Sequence, residues 1–300
     1  MSFSNQIKNE ICEVYKMSEC CKVCLLYGIL STAKTFNETE IEFFSESNDA
    51  AIYFSRLIGK IFKIRVEIDK TILFTHKKEI YQIKISNKNH CKIISDSFNC
   101  GKFAEYISQL SLNDDATWAY IKGIFLGGGS ISDPQSEYHL EIIFRQKNNA
   151  VFAQNMFSSL NLVPKITQRR GLFVVYFKDS SMIEDVLAGI NAVKGVLQFM
   201  DSKVIKDLRN RLNRRNNCET ANMQKTINVA GEQTKAIEYI ISKKGIDFLS
   251  EDLQRIALFR LNNPEMSLSS MAKELSGEFS KSAIDRRLKK IVEIYKDIIK

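Results

Sequence analysis

Residues 121–131, Ile-Lys-Gly-Ile-Phe-Leu-Gly-Gly-Gly-Ser-Ile, run an apolar helical segment directly into three consecutive glycines and then into a strand. Glycines without Cβ atoms end a helix and let two backbones approach closely. Upstream, Val23–Ala33 is another apolar helical segment with Gly28 inside it. An interior helical glycine costs about 1 kcal/mol against alanine, so its usual purpose is close packing. Gly28 and Gly123 lie 95 residues apart.

The surrounding pattern repeats as well. In the first half, Thr39–Ser47 alternates as a strand, with Ile41 and Phe43 on one face and Glu40 and Glu42 on the other. Asn48 then caps a helix through Ile61, Lys63–Asp69 is a strand, Ile72–Ser86 holds one or two more, and residues 90–110 read as a helix. In the second half, Asp133-Pro134 marks a turn, Tyr138–Arg145 alternates, and Asn148 caps a helix through Leu160. Strands at Pro164–Gln168 and Leu172–Phe177 follow, then a helix over Ser180–Ile190. Each half therefore reads helix, strand, helix, strands, helix, which is two degenerate copies of one α+β unit. A short helix over residues 2–17, with Ser4 as its cap, precedes the first copy.

The last third differs. Residues 201–300 carry 20 Lys and Arg against 14 Asp and Glu, whereas residues 1–200 carry 23 against 21. This asymmetry within a net charge of +8 points toward nucleic acid. Residues 192–244 are predominantly helical and polar; between Lys203 and Arg215 the six basic residues Lys203, Lys206, Arg209, Arg211, Arg214 and Arg215 are set against the single acid Asp207. The stretch is either a solvated connector or a phosphate-contacting surface, since guanidinium forks suit phosphate oxygens. Next come three helices capped by Ser250, Ser267 and Ser280, the second of them short, with a turn at Ser276-Gly-Glu-Phe279 before the third. In that third helix Ala283, Ile284, Leu288 and Ile291 point inward, while Lys281, Ser282, Asp285, Arg286, Arg287, Lys289 and Lys290 form the other side. Short helix, glycine turn and longer basic helix is helix-turn-helix spacing, and such a helix fits the major groove. The third helix of an ordinary bundle can also be basic outside, so that reading stays open.

Other chemistry is thin. No apolar run approaches the ~20 residues of a membrane helix, and residues 1–10 carry no signal-like apolar core, so the expected compartment is the cytosol. Of seven cysteines, Cys21 and Cys24 form a CxxC beside Cys20, either one pair of a metal site or buried thiols; the odd count argues against a disulfide framework. His76, His90 and His139 show no ligand spacing, and no Lys-Ser/Thr follows Gly127–Gly129 as a phosphate loop requires. No cofactor is expected.

The segment 121–145, the run Asn217-Cys-Glu-Thr-Ala-Asn-Met-Gln-Lys-Thr226, and Ser280–Ile291 together resemble the WhiA family of bacterial transcription and sporulation or division regulators. The resemblance covers nearly the whole chain. It implies an α+β fold, a duplicated LAGLIDADG-like αββαββα N-terminal domain followed by an all-α helix-turn-helix domain. The implied boundaries are 1–110 and 111–195 for the two repeats, 196–249 for a basic helical linker and 250–300 for the helix-turn-helix. LAGLIDADG nucleases hold divalent metal between two acids, one at the base of each repeat's helix. Here Ala33 and Gly128 occupy those positions, and neither can bind a metal ion. The implied protein is therefore a non-enzymatic DNA-binding regulator acting in sporulation, cell division and chromosome segregation, associated with the nucleoid. Its expected DNA contacts are Ser280, Lys281, Ser282, Asp285, Arg286, Arg287, Lys289 and Lys290, backed by Lys206, Arg209, Arg211, Arg214 and Arg215. A WhiB-type iron–sulfur regulator and RNA polymerase are the candidate protein partners beside double-stranded DNA. The alternatives are a division adaptor working through protein contacts and an active homing endonuclease.

Overall fold

The computed structural model describes residues 2–13, 17–73, 78–99, 114–275 and 278–299. The chain divides into two compact units, Met1–Lys206 and Asp207–Lys300.

In the first unit, α1 (Phe3–Cys12) leads into α2 (Glu19–Ser31), β1 (Thr35–Phe36), β2 (Ile41–Ser45), α3 (Asn48–Phe62), β3 (Ile68–Leu73), β4 (Lys78–Ile85) and α4 (Lys88–Asn99). The second copy runs α5 (Asp114–Gly128), β5 (Gly129–Ile131), β6 (Leu140–Phe144), α6 (Lys147–Ser159), β7 (Lys165–Arg169), β8 (Leu172–Phe177) and α7 (Ser180–Gly189). Each copy builds a four-stranded antiparallel sheet, with the orders β1-β2-β4-β3 and β5-β6-β8-β7. The two orders are the same order, so the duplication read from the glycine spacing is a duplication of topology.

Helices α2 and α5 are apolar on almost every side, and such helices have to be buried all round. Leu25, Leu26, Ile29, Ile121, Ile124 and Phe125 are fully buried. The two helices meet at Gly28 and Gly123, where a Cβ on Gly28 would lie 2.8 Å from the Ile124 nitrogen and 2.9 Å from the Gly123 Cα. Backbone therefore packs on backbone. Tyr27 and Tyr120 extend this contact, with ring centroids 5.8 Å apart, and Phe152 of α6 meets Tyr120 edge-on at 5.2 Å. One apolar core joins both halves.

Several local expectations shift. The cap of α1 is Ser2, whose hydroxyl accepts from Asn5 N at 3.3 Å, and not Ser4. The cap of α3 is Ser47, one residue before Asn48, and Gln146 precedes α6 without a side-chain cap bond, so Asn148 caps nothing. Lys63 takes a left-handed conformation (φ 62°) that ends α3, so the strand expected over 63–69 begins only at Ile68. Glu42 is 7% exposed and not on a solvent face; it lies between Lys34 Nζ at 2.8 Å and Gln82 Nε2 at 2.8 Å. Parts of the expected helices over 2–17 and 90–110 lie outside the described residues, as do Ser276 and Gly277.

Residues 192–244, read as helical polar sequence, form one helix, α8 (Val193–Lys244). Its positive N-terminal end is capped by the Glu10 carboxylate, which accepts from Lys194 N at 2.6 Å and Gly195 N at 3.0 Å. Gly245, at φ 80°, ends it by donating to the Ile241 carbonyl at 3.1 Å. The second unit then adds a 3-10 turn (Ile246–Phe248), α9 (Glu251–Asn262), α10 (Leu268–Glu274) and α11 (Lys281–Ile299) around a core of Ile237, Ile240, Ile256, Met271, Ile284 and Leu288.

Candidate nucleic-acid interface

Helix α11 starts where Ser280 Oγ accepts from Ala283 N at 3.2 Å; the same hydroxyl lies 3.1 Å from Ser282 Oγ. Ser280 therefore serves the helix end. Ile284, Leu288 and Ile291 fix which face turns inward, since residues three and four apart share a face. That leaves Ser282, Arg286, Lys289, Lys290 and Lys296 exposed, with Lys281 exposed at the first turn.

The predicted residues separate into two kinds. Arg286 and Lys290 make no hydrogen bond or ion pair among the described residues and stand in solvent. Lys289 is exposed but holds Asp285 at 2.7 Å. Arg287 is occupied: its Nη2 pairs with Asp252 of α9 at 2.8 Å, and its guanidinium lies 4.6 Å above the Phe279 ring. It ties α11 to α9 and is not an open cation.

The basic stretch of α8 divides likewise. Arg209, Arg211 and Arg214 are exposed and unpaired among the described residues. Arg215 pairs with Glu219 one turn on, at 2.8 Å. Lys206 donates to the Ser136 carbonyl at 2.9 Å and lies 4.5 Å from the Tyr138 ring centroid, so it staples α8 to the β5–β6 connection. Lys203 is held by Glu184 at 2.8 Å, which raises its pKa, the side-chain hydrogen bond acting first. The helix also exposes Val204, Ile205, Leu208 and Leu212 among these cations.

At the nuclease positions, Ala33 is buried, and a Cβ on Gly128 would lie 2.6 Å from the Ile143 carbonyl oxygen. A cavity of about 480 Å³ opens beside Gly128, with Lys8, Lys34 and Arg145 in its wall and Glu46 the carboxylate there. Burial drives the Lys8 ammonium down to about 8, with Glu46 pulling the other way. These cations were not singled out from the sequence, because they come from α1, β1's approach and β6's end, far apart along the chain. Several charges of the two sheets are paired: Lys70 with Glu79 at 2.7 Å, Lys84 with Glu40 at 2.9 Å, and Arg169 with Glu141 at 3.4 Å. His139 is engaged with the same Glu141 at 3.1 Å.

Among the described residues the cysteines do not gather with other ligands into a metal-holding group. Burial pushes the Cys12 and Cys24 thiols up to about 12, which disfavours the thiolate that a metal needs. Cys91 is buried and donates to the Ile85 carbonyl at 3.1 Å. Among the described residues no three His, Cys, Asp or Glu side chains group to hold a metal ion, and no helix is long and apolar enough to cross a membrane.

A duplicated LAGLIDADG-like body followed by a helix-turn-helix unit with an exposed basic helix defines the class. The family descriptions agree: the WhiA LAGLIDADG-like domain matches residues 117–209, and the WhiA C-terminal HTH domain matches residues 212–295. A "Probable cell division protein WhiA" of Clostridium tetani is 34% identical, over 100% of this chain and 99% of its own. A Clostridium botulinum protein of the same name is 33% identical over 98% of each. The full-length DUF199/WhiA crystal structure from Thermotoga maritima aligns at a TM-score of 0.59 and 25% identity, covering 99% of both chains. The chain belongs to the WhiA family.

Proposed function

We propose that this protein is a non-enzymatic regulator of transcription that binds double-stranded DNA through α11, in the cytoplasm and at the nucleoid, and acts in cell division, sporulation and chromosome segregation. The observation that carries the reading is the exposed face of α11, where Arg286, Lys289 and Lys290 stand beside Ser282 on a helix of groove-fitting width. Arg209, Arg211 and Arg214 supply further phosphate contacts. We take residues 1–110 and 111–195 as the two repeats, 196–249 as the helical connector and 250–300 as the DNA-reading part, with RNA polymerase or a WhiB-type regulator as protein partner.

Lost catalysis is supported by the cavity beside Gly128. A divalent ion there would meet three cations, Lys8, Lys34 and Arg145, and the single carboxylate of Glu46 in place of a pair of carboxylates. The test combines occupancy mapping of the tagged protein with anisotropy titration of the recovered fragments. Arg286→Glu with Lys290→Glu should abolish binding, whereas retained binding would remove α11 as the reader. Incubation of supercoiled plasmid with Mg²⁺ should leave it uncut.

A second reading rests on Val193, Leu197, Met200 and Val204, which all lie on one face of α8 and are 45–59% exposed. A contiguous exposed apolar stripe marks a protein contact, and so supports an adaptor role. If a chain lacking residues 250–300 rescued the deletion phenotype, that role would be the main one.

A further inference from the structure

The second unit contains a cavity of about 290 Å³, walled by α8, α9, α10 and α11. Lys225, Gln233, Arg260, Ser269, Lys281 and Asp285 contribute to its lining. Arg260 falls at an inward position of α9, in step with Leu253, Ile256 and Ala257, and is only 1% exposed. Its hydrogen bonds run from Nη1 alone, to the carbonyls of Met266 at 2.7 Å and Asn263 at 3.5 Å. Its Nε is buried and makes no hydrogen bond. Among the described residues no carboxylate pairs with it, since Asp285 is held by Lys289 at 2.7 Å. Gln233, 4% exposed, leaves its Oε1 without a partner as well.

Buried charges are normally paired, and buried polar atoms normally bonded. Here two orphans on different helices border one cavity, with Lys225 and Lys281 adding positive charge. The amide of Gln233 can turn to present its N–H₂. A phosphate group carries roughly −1.5 to −2 charge and several acceptor oxygens. It answers the Arg260 Nε–H, the amide and both lysines at once.

We propose that this cavity binds a small free phosphate-bearing solute, held by Arg260 and Gln233 at its base and by Lys225 and Lys281 at its mouth. A DNA phosphodiester is the poorer occupant, because a duplex keeps its phosphates on a stiff outer rim that cannot enter a cavity of about 290 Å³ as a small solute can. Binding at this site is independent of whether α11 reads DNA, so either claim can fail alone.

The probe is inorganic phosphate, titrated calorimetrically into the full chain in zwitterionic buffer, with chloride at matched ionic strength. One saturable site per chain is expected for phosphate and none for chloride. Arg260→Met should abolish it. If that variant fails to fold, Lys225→Ala leaves the buried guanidinium in place and should weaken binding about three- to tenfold, as for loss of one charge-assisted contact. Non-saturable heats, or affinities unchanged in Arg260→Met or Lys225→Ala, would overturn the site. A repeat with saturating 20-base-pair duplex distinguishes the source: retained phosphate binding supports a free solute, while stoichiometric displacement assigns the cavity to DNA and overturns the proposal.

Discussion

Adding a single methyl group at Gly123 should cost the N-terminal unit more than any surface change. The new Cβ would point at α2, lying 3.0 Å from the Gly28 Cα and overlapping the Leu25 carbonyl. Both obstacles are backbone, so no side chain can rotate away and the two helices must separate. Overpacking of this kind costs up to about 3 kcal/mol. For a unit of roughly 200 residues that corresponds to a fall in midpoint of about 6–12 °C. Scanning calorimetry of the full chain, with the N-terminal and C-terminal transitions fitted separately, reads it. Gly231→Ala is the counterpart, since nothing lies within 4 Å of its would-be Cβ and it sits inside an exposed stretch of α8. It should raise stability by about 0.5–1 kcal/mol through helix propensity. A Gly123→Ala midpoint within a degree of the parent would refute the close crossing of α2 and α5.

The remaining expectations concern charge. Lys8 has a folded pKa of about 8 and an unfolded value of roughly 10.4, so between these the unfolded chain holds more protons and stability rises with pH. Lys8→Met should flatten that rise and stabilise the protein at pH 7 by about 1–3 kcal/mol, measured as urea midpoints from pH 7 to 10; an unchanged slope would mean that burial does not weaken the ammonium. Arg287→Gln should lower the C-terminal transition by about 0.5–1.5 kcal/mol, through loss of the Asp252 pair and the Phe279 stack, with Asp252→Asn showing much of the same loss. Arg286→Gln should do neither, and equal destabilisation by the two would contradict the separation of structural from open cations.

The duplication was legible because close packing of two helices leaves glycine as the only residue that fits, and that requirement recurs at a fixed interval. Where local pattern competes with tertiary structure, legibility ends. Ile64, Val66 and Ile68 alternate as a strand does, yet Lys63 in its left-handed conformation delays pairing until Ile68. The Ser47 and Asn48 caps are both good acceptors one residue apart, and only the hydrogen bond to Ala50 N at 3.1 Å chooses between them. Arg286 and Arg287 are indistinguishable in sequence. Asp252, 35 residues away, decides which is structural. Arg260 did leave a signal, a cation in step with an inward apolar face, whereas Lys8, Lys34 and Arg145 come together only in the fold.

Salt dependence of DNA affinity is the decisive observation for α11 as the reading helix. Each phosphate contact contributes about 0.9 to the slope of log K against log salt. Arg286→Ala with Lys290→Ala should therefore reduce that slope by about 1.8, while Arg287→Ala should change it little. A double variant with the parent's slope and affinity would place the DNA elsewhere on the molecule.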